Sequence, residues 1–324
     1  MTTQPVQAPP LLTPGGPQGL CEGALILTRS GIVPVEDIAA GEEVFTHRRR
    51  WQPVAAVTSQ TAPTVNVHCV TLPGGLLTTA DQWLLTRNAR VLLESGATAG
   101  MSGARWTKAR DLVEGDRVAS PLDFGQPLPL PELPAALAGT DPADIMRTAA
   151  QMIGLKGKAG TALCPELADC MEEHFGPYGA GRRFPAWAVT MPEELRRAFL
   201  GGLVDLSPER QKCAVAMHSK RFMTGLRLLV CSLGYAAGLA SAKGKGGSRA
   251  WPLSWAPTGG RRPDYNGSRW HSVARVERGP VCTVFQLHVI QDESCVADGL
   301  TVAASLPPGR QQGSDLQLSR KSRG

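Results

Sequence analysis

A chain of 324 residues exceeds what one ordinary core supports, so two folded units with extended ends are expected. Its hydrophobic share of 42% is ordinary, its aromatic share of 5% is low, and 36 Gly with 26 Pro forecast many turns and short strands. The net charge of +6 is spread along the chain, which fits a solvated basic surface and does not by itself establish a nucleic-acid partner; no uninterrupted apolar run is long enough for a membrane span.

Residues 1–20 are rich in Pro, Gly, Gln and Thr and cannot bury enough surface to order themselves, so they are read as a flexible flank without the basic start and apolar run of a signal peptide. From Cys21 to Pro121 short apolar runs alternate with turns: GALILT, SGIVPVEDIAAGEEVFTH, QPVAAVTS, VNVHCVTLPGGLLTTADQWLLT and KARDLVEGDRVASPL. This is a β-rich pattern. VEDIAAGEEV and ARDLVEGDRV share one grammar, an acidic residue, an aliphatic, a Gly-acid turn and a Val, which implies an internal duplication and a pseudo-symmetric β fold.

Between about 131 and 240 the period changes. ADIMRTAAQMIGLKG, ELADCMEEHF, EELRRAFLGGLVDL and RFMTGLRLLVCSLG place apolar residues at helical spacing, so a helical insertion is expected there. AKGKGGSRA and TGGRR then read as a basic, Gly-rich loop, a connector in the first instance. HSVARVERGPVCTVFQLHVIQDESCVADGLTVAAS returns to strands, and the tail from Ser305 is polar and flexible.

Eight cysteines, at 21, 69, 164, 170, 213, 231, 282 and 295, show no CxxC pair and no spacing that suggests a metal site or a disulfide framework, which fits a reducing, cytoplasmic compartment. Cys170 and His174 share a helix face but lack a second ligand pair, so no metal and no cofactor are expected. Cys295 and Trp83 are read as core residues, and His47 and His68 as structural.

At this point the chain resembles the inteins, self-excising protein-splicing elements of the Hint fold. CEGALILTRSGIVPVEDIAAGEEVFTH resembles the family's opening block, headed by a nucleophilic Cys; LLTTADQWLLT resembles the block centred on Thr-x-x-His; VFQLHVIQDESCVADGLTVAAS resembles the closing blocks, which end in His-Asn before a Cys, Ser or Thr. The resemblance spans nearly all of 21–305. It implies that the Cys21 thiol attacks the carbonyl of Leu20 to give a thioester, that Thr79 hydrogen-bonds the scissile amide, and that Ser305 is the second nucleophile.

The departures from the family pattern are many. Gln82 stands where His is usual; it can donate a hydrogen bond but cannot shuttle a proton near neutral pH, so the first step should be slower by about 10²–10⁴-fold. Gln286 occupies a position often held by Asp, and Glu293 one often held by His. Ala303 and Ala304 stand where His and Asn are expected. A methyl group cannot cyclise, so splicing and Asn-driven cleavage should both fail.

The segment RFPAWAVTMPEELRRAFLGGLVDLSPERQ with SKRFMTGLRLLVCSLGYAAGL resembles half of a LAGLIDADG homing endonuclease, in which two helices pack through small residues and each ends in a metal-binding acid. FLGGLVDLSP keeps Gly201, Gly202 and Leu203, but Ser207 replaces the acid, and AAQMIGLKG carries Lys156 at the equivalent place. Nuclease activity should therefore be lost. Asp205 is read as a local pairing or capping residue, and Lys243, Lys245, Arg249, Arg261 and Arg262 as weak nonspecific DNA contacts at most.

The combined expectation is a mainly β Hint-type fold interrupted by an α+β LAGLIDADG-like domain: flank 1–20, Hint part 21–121, insertion 122–269, Hint part 270–304, flank 305–324. The implied partners are the chain's own flanks in cis, and the protein is expected to be a monomer away from membranes. The alternatives are an inert, splicing-dead precursor, natural or engineered, and a noncatalytic DNA-binding protein.

Overall fold

The computed structural model describes residues 16–87, 103–155, 158–205, 213–243, 249–256 and 267–304. The first β segment contributes β1 Leu20–Cys21, β2 Leu25–Thr28, β3 Gly31–Pro34, β4 Glu43–Phe45, β5 Trp51–Cys69, β6 Leu72–Thr79, β7 Trp83–Arg87, β8 Arg105–Lys108 and β9 Arg117–Pro121. A middle block follows, with helices α1 Pro142–Gly154, α2 Lys158–Leu163, α3 Pro165–Phe175, α4 Ala186–Thr190, α5 Glu193–Asp205 and α6 Lys220–Ser232. Strands β10 Ala214–Met217, β11 Ala237–Leu239, β12 Ala242–Lys243 and β13 Arg249–Trp255 complete the block. The chain closes with β14 Ser268–Val289, β15 Ser294–Ala297 and β16 Leu300–Ala303.

Strands from both ends of the chain share one twelve-stranded sheet, ordered β15-β16-β7-β9-β14-β1-β6-β5-β4-β2-β3, with β8 on β7. The expected mainly β architecture interrupted by an α+β block is the one observed. Its backbone is the antiparallel pairing of the two longest strands, β5 and β14, in register from Val54↔Val289 to Cys69↔Val273 with three irregularities. These strands bury Val54, Val67, Val273, Leu287 and Val289, and with them the polar Thr64, His68, His271 and His288.

The duplicated phrases form superimposable devices. Each makes one turn of 3-10 helix, Val35–Asp37 in the first and Ala109–Asp111 in the second, followed by a glycine with positive φ, Gly41 at 92° and Gly115 at 89°. Gly41 N–H donates to the Val54 carbonyl at 2.8 Å and Val54 N–H returns a bond to Glu42; Gly115 N–H donates to Val273 at 3.0 Å and Val273 N–H returns one to Asp116. The same clamp thus grips β5 in one half and β14 in the other. A left-handed turn costs glycine little, which is why both phrases carry it.

Helices α1 and α5 pack through small residues. A Cβ on Gly202 would lie 2.2 Å from the Arg147 carbonyl and 2.9 Å from the Ala150 Cβ, so only glycine permits this approach. Asp141 caps α1 through the Ala143 N–H at 2.8 Å, and Ser219 caps α6 through Phe222 N–H at 3.1 Å. Asp205, expected to cap or pair locally, instead pairs across the helices with Arg147 of α1 at 2.7 Å. α6 is buried along most of its length and includes Arg227, whose guanidinium donates to His271 Nε2 at 3.1 Å; His271 Nδ1 meets Thr71 Oγ1 at 2.6 Å. Burial lowers the pKa of Arg227 and of His271, and it leaves the imidazole neutral as acceptor. This chain of contacts ties the middle block to the sheet inside one continuous apolar core.

One sequence expectation needs correction here. Lys243 and Arg249 do not lie in a connecting loop: they face each other in register on β12 and β13, because the hydrophobic β13 recruits its neighbours into a second sheet of four strands. Trp83, read as a core aromatic, is partly buried and packs against the cluster of Leu85, Trp106, Ala119 and Ala303, with the Lys108 ammonium 5.3 Å from its ring centre. Lys156, Ser207, Lys245, Arg261, Arg262 and Ser305 lie outside the described residues.

Candidate functional site

The site is built where β1 enters the sheet. Leu20 pairs with Thr78 of β6 on one side and Phe285 of β14 on the other, and Cys21 pairs with Val284. The junction between flank and fold is therefore a strand bonded on both edges. Gly19 is pinned just before it: its N–H donates to Thr79 Oγ1 at 3.1 Å, and its carbonyl accepts from Thr79 N–H at 3.0 Å and Thr78 Oγ1 at 2.7 Å. A side chain at 19 is excluded, because a Cβ would lie 3.0 Å from the Phe285 carbonyl oxygen and 3.2 Å from the Val284 Cβ.

The register moves the Thr79 contact from where the sequence placed it. Its hydroxyl binds the Gly19 N–H, two peptides before the Leu20–Cys21 amide, because β6 sets Thr78 and not Thr79 opposite Leu20.

The far end of the chain arrives at the same place. β16 pairs with β7 through Val302↔Leu84 and with β15 through Ala303↔Ser294. Gln82, fully buried, donates from Nε2 to the Ala303 carbonyl at 2.7 Å, and Ala304 N–H donates to the Glu293 carbonyl at 2.7 Å. Gln82 thus engages the carboxyl-terminal junction. A small pocket, of about 10 Å³, is lined by Leu20, Gln82, Gln286, Cys295, Ala303 and Ala304 among others, so residues of the two junctions border one space. Burial pushes the pKa of Glu293 up and that of the Cys295 thiol up to about 12, which leaves Cys295 an inert packing group.

A polar cluster lies behind β15. Asp292 accepts from Thr46 Oγ1 at 2.7 Å and from Arg50 Nε at 2.8 Å. Burial works to raise its pKa, yet the bonds from Arg50 and Thr46 and the arginine charge leave it below the usual carboxylate value. His47 Nδ1 meets Ser294 Oγ at 2.7 Å, and its ring stands edge-on to Trp106. Burial lowers its pKa to about 4, so it is neutral at pH 7 and holds Ser294 opposite Ala303. The buried His68 bonds the Pro73 carbonyl at 2.7 Å and faces the exposed Glu277 of β14 at 3.1 Å, linking the strands.

The sequence reading missed the residue that touches Cys21. The sulfurs of Cys21 and Cys282 are joined in a disulfide across 261 residues, and the other six cysteines are free, so one pair is linked where the spacings suggested no disulfide framework. No spacing could have shown it. The register Cys21↔Val284 sets β1 against β14 near Cys282, and only that register brings the two sulfurs together.

Among the described residues no group of three or more His, Cys, Asp or Glu could hold a metal ion, and no helix is long and apolar enough to cross a membrane.

Residues 18–123 match the family model described as Hint domain. No curated protein matches the chain in sequence. Solved structures similar to it include a DnaB intein from Synechocystis sp. PCC 6803, at 9% identity over 90% of this chain and 100% of that one with a TM-score of 0.37. A DnaX mini intein from Spirulina platensis matches at 12% identity over 88% and 98% with a TM-score of 0.34. A bacterial intein-like domain from Clostridium thermocellum matches at 8% identity over 90% and 100% with a TM-score of 0.33. At such scores these likenesses carry no weight for the activity of this chain.

Proposed function

We infer, from the match of residues 18–123 to the Hint domain model, that the protein is an intein-type self-processing element which can open its amino-terminal junction and cannot complete splicing. The observation that carries this reading is the placement of Cys21 directly after Leu20, which is paired on both edges and lines one pocket with Ala303 and Ala304.

In this reading the Cys21 thiolate attacks the Leu20 carbonyl carbon, the C–N bond breaks, and the Cys21 nitrogen leaves with a proton, so that a thioester replaces the peptide bond. Thr78 and Thr79 hold the preceding peptide and fix the carbonyl's approach. Gln82 binds the carbonyl of Ala303 and offers no proton shuttle, so the leaving nitrogen takes its proton without that help. Water or an external thiol then releases residues 1–20. At the other end Ala304 has no side-chain amide to cyclise, so the peptide bond before Ser305 is not cut and the Ser305 nitrogen is not freed. The acting partners are the flanks 1–20 and 305–324, in cis.

The insertion, 122–269, reads as a decayed nuclease that retains the close α1–α5 packing. Its nearest surviving acid, Asp205, is neutralised by Arg147, while Ser207 and Lys156 replace the metal-binding carboxylates. No DNA cleavage follows from such a set.

Restoring Gln82→His, Ala303→His and Ala304→Asn together tests the scaffold. Ligated flanks 1–20 and 305–324, seen by intact mass, are the expected result. Retention of an uncleaved, folded chain under reducing conditions would overturn the reading.

A further inference from the structure

We propose that Cys21 and Cys282 form a thiol–disulfide exchange site that keeps the precursor uncleaved until a dithiol reductant opens it. The inference rests on the acyl-shift reading of Cys21 but goes beyond it, because it adds a second thiol, a co-substrate class and a condition for activity.

A sulfur held in a disulfide has no lone-pair charge with which to attack Leu20. The bond joining Cys21 to Cys282 therefore blocks the first step while it stands. The two sulfurs differ in access. Cys21 is 4% exposed, on a strand enclosed by β6 and β14, whereas Cys282 is only partly buried and follows Val281, which is 67% exposed. An incoming thiolate meets the Cys282 sulfur first.

That direction of attack matters chemically. The reductant's thiolate forms a bond to Cys282 Sγ, the Cys21–Cys282 bond breaks, and its electron pair departs on Cys21 Sγ. The leaving group is thus the very thiolate that the acyl shift needs, released beside the Leu20 carbonyl. The reductant's second thiol, after losing its proton, attacks its own sulfur in the mixed disulfide and expels Cys282 as thiolate. In total one dithiol is oxidised by two electrons to a disulfide and the protein pair is reduced. A two-electron acceptor such as a small-molecule disulfide reverses the exchange and closes the site again.

Cys69 and Cys295 do not compete, being buried with thiol pKa values pushed up to about 11 and about 12. The pairing of β1 with β14 is by backbone register, Leu20↔Phe285 and Cys21↔Val284.

The test uses the full chain, oxidised with glutathione disulfide and then treated with the non-thiol reductant tris(2-carboxyethyl)phosphine, which reduces the pair without acting as a thioester acceptor. Peptide mapping without reduction reads the pairing independently of any cleavage, and intact mass reads the loss of residues 1–20. The expected results are a linked peptide joining Cys21 to Cys282, retention of residues 1–20 in the oxidised chain, and at least tenfold faster loss after reduction. Cys282→Ala and the more conservative Cys282→Ser should cleave at the reduced rate with no reductant present. Absence of the linked peptide, or equal cleavage of oxidised and reduced chains, would overturn the exchange site. If the reduced chain and both variants all keep residues 1–20 while the linked peptide is found, the acyl-shift reading fails instead.

Discussion

Gly19→Ala is the sharpest perturbation of the junction. The added methyl would lie 3.0 Å from the Phe285 carbonyl oxygen and 3.2 Å from both the Phe285 carbonyl carbon and the Val284 Cβ, tighter than ordinary contact against backbone that β5 and β1 hold in place. Overpacking of this kind costs about 1–3 kcal/mol. The flank strand can relieve it by withdrawing from between β6 and β14, giving up the bonds of Gly19 to Thr78 and Thr79. If the junction must be seated to react, the same energy lowers the cleavage rate by a factor of roughly 5 to 150, at about 1.4 kcal/mol per tenfold. The assay is a time course of intact mass for the reduced chain, with hydrogen exchange at the Gly19 and Leu20 amides as a readout that needs no cleavage. Gly74→Ala serves as the control, since a Cβ there would meet nothing within 4 Å. Wild-type rate and wild-type amide protection in Gly19→Ala would refute the steric reasoning.

Gly202→Val places a branched side chain where even one carbon lies 2.2 Å from the Arg147 carbonyl, so α1 and α5 must part. A loss of about 1–3 kcal/mol, or roughly 2–4 °C in Tm per kcal/mol, should appear in a thermal melt, and an unchanged Tm would contradict the close packing. The pH dependence of stability should carry a signature of His47. Its pKa falls from 6.5 to about 4 on folding, so the unfolded chain binds the extra proton first. Its contribution is intact above pH 6.5 and is lost as the pH falls from 6.5 towards 4, by up to about 3 kcal/mol. Urea unfolding of His47→Gln should show that acid slope flattened; an unaltered slope would assign it to other groups.

Local grammar was legible in the residues alone. The doubled phrases around Gly41 and Gly115 announced two equivalent turns, and each turn clamps its own long strand. The switch to helical period marked the middle block, and the glycines of FLGGLVDL marked a close helix contact. Cys21 stood out because it heads a long β-rich segment, and Ala303-Ala304 because they fill positions where reactive side chains were expected.

What the residues could not state is which partners meet across hundreds of positions. Thr79 reaches the Gly19 amide, Gln82 reaches Ala303, and Cys282 reaches Cys21, each through a strand register decided elsewhere in the sheet. Sequence periodicity fixes which face a side chain takes, since that depends only on neighbours along the strand. A slip of one residue in pairing would send each of these side chains to the opposite face with the same local pattern, so the contacts belong to the folded sheet and to the long β5–β14 ladder that sets its register.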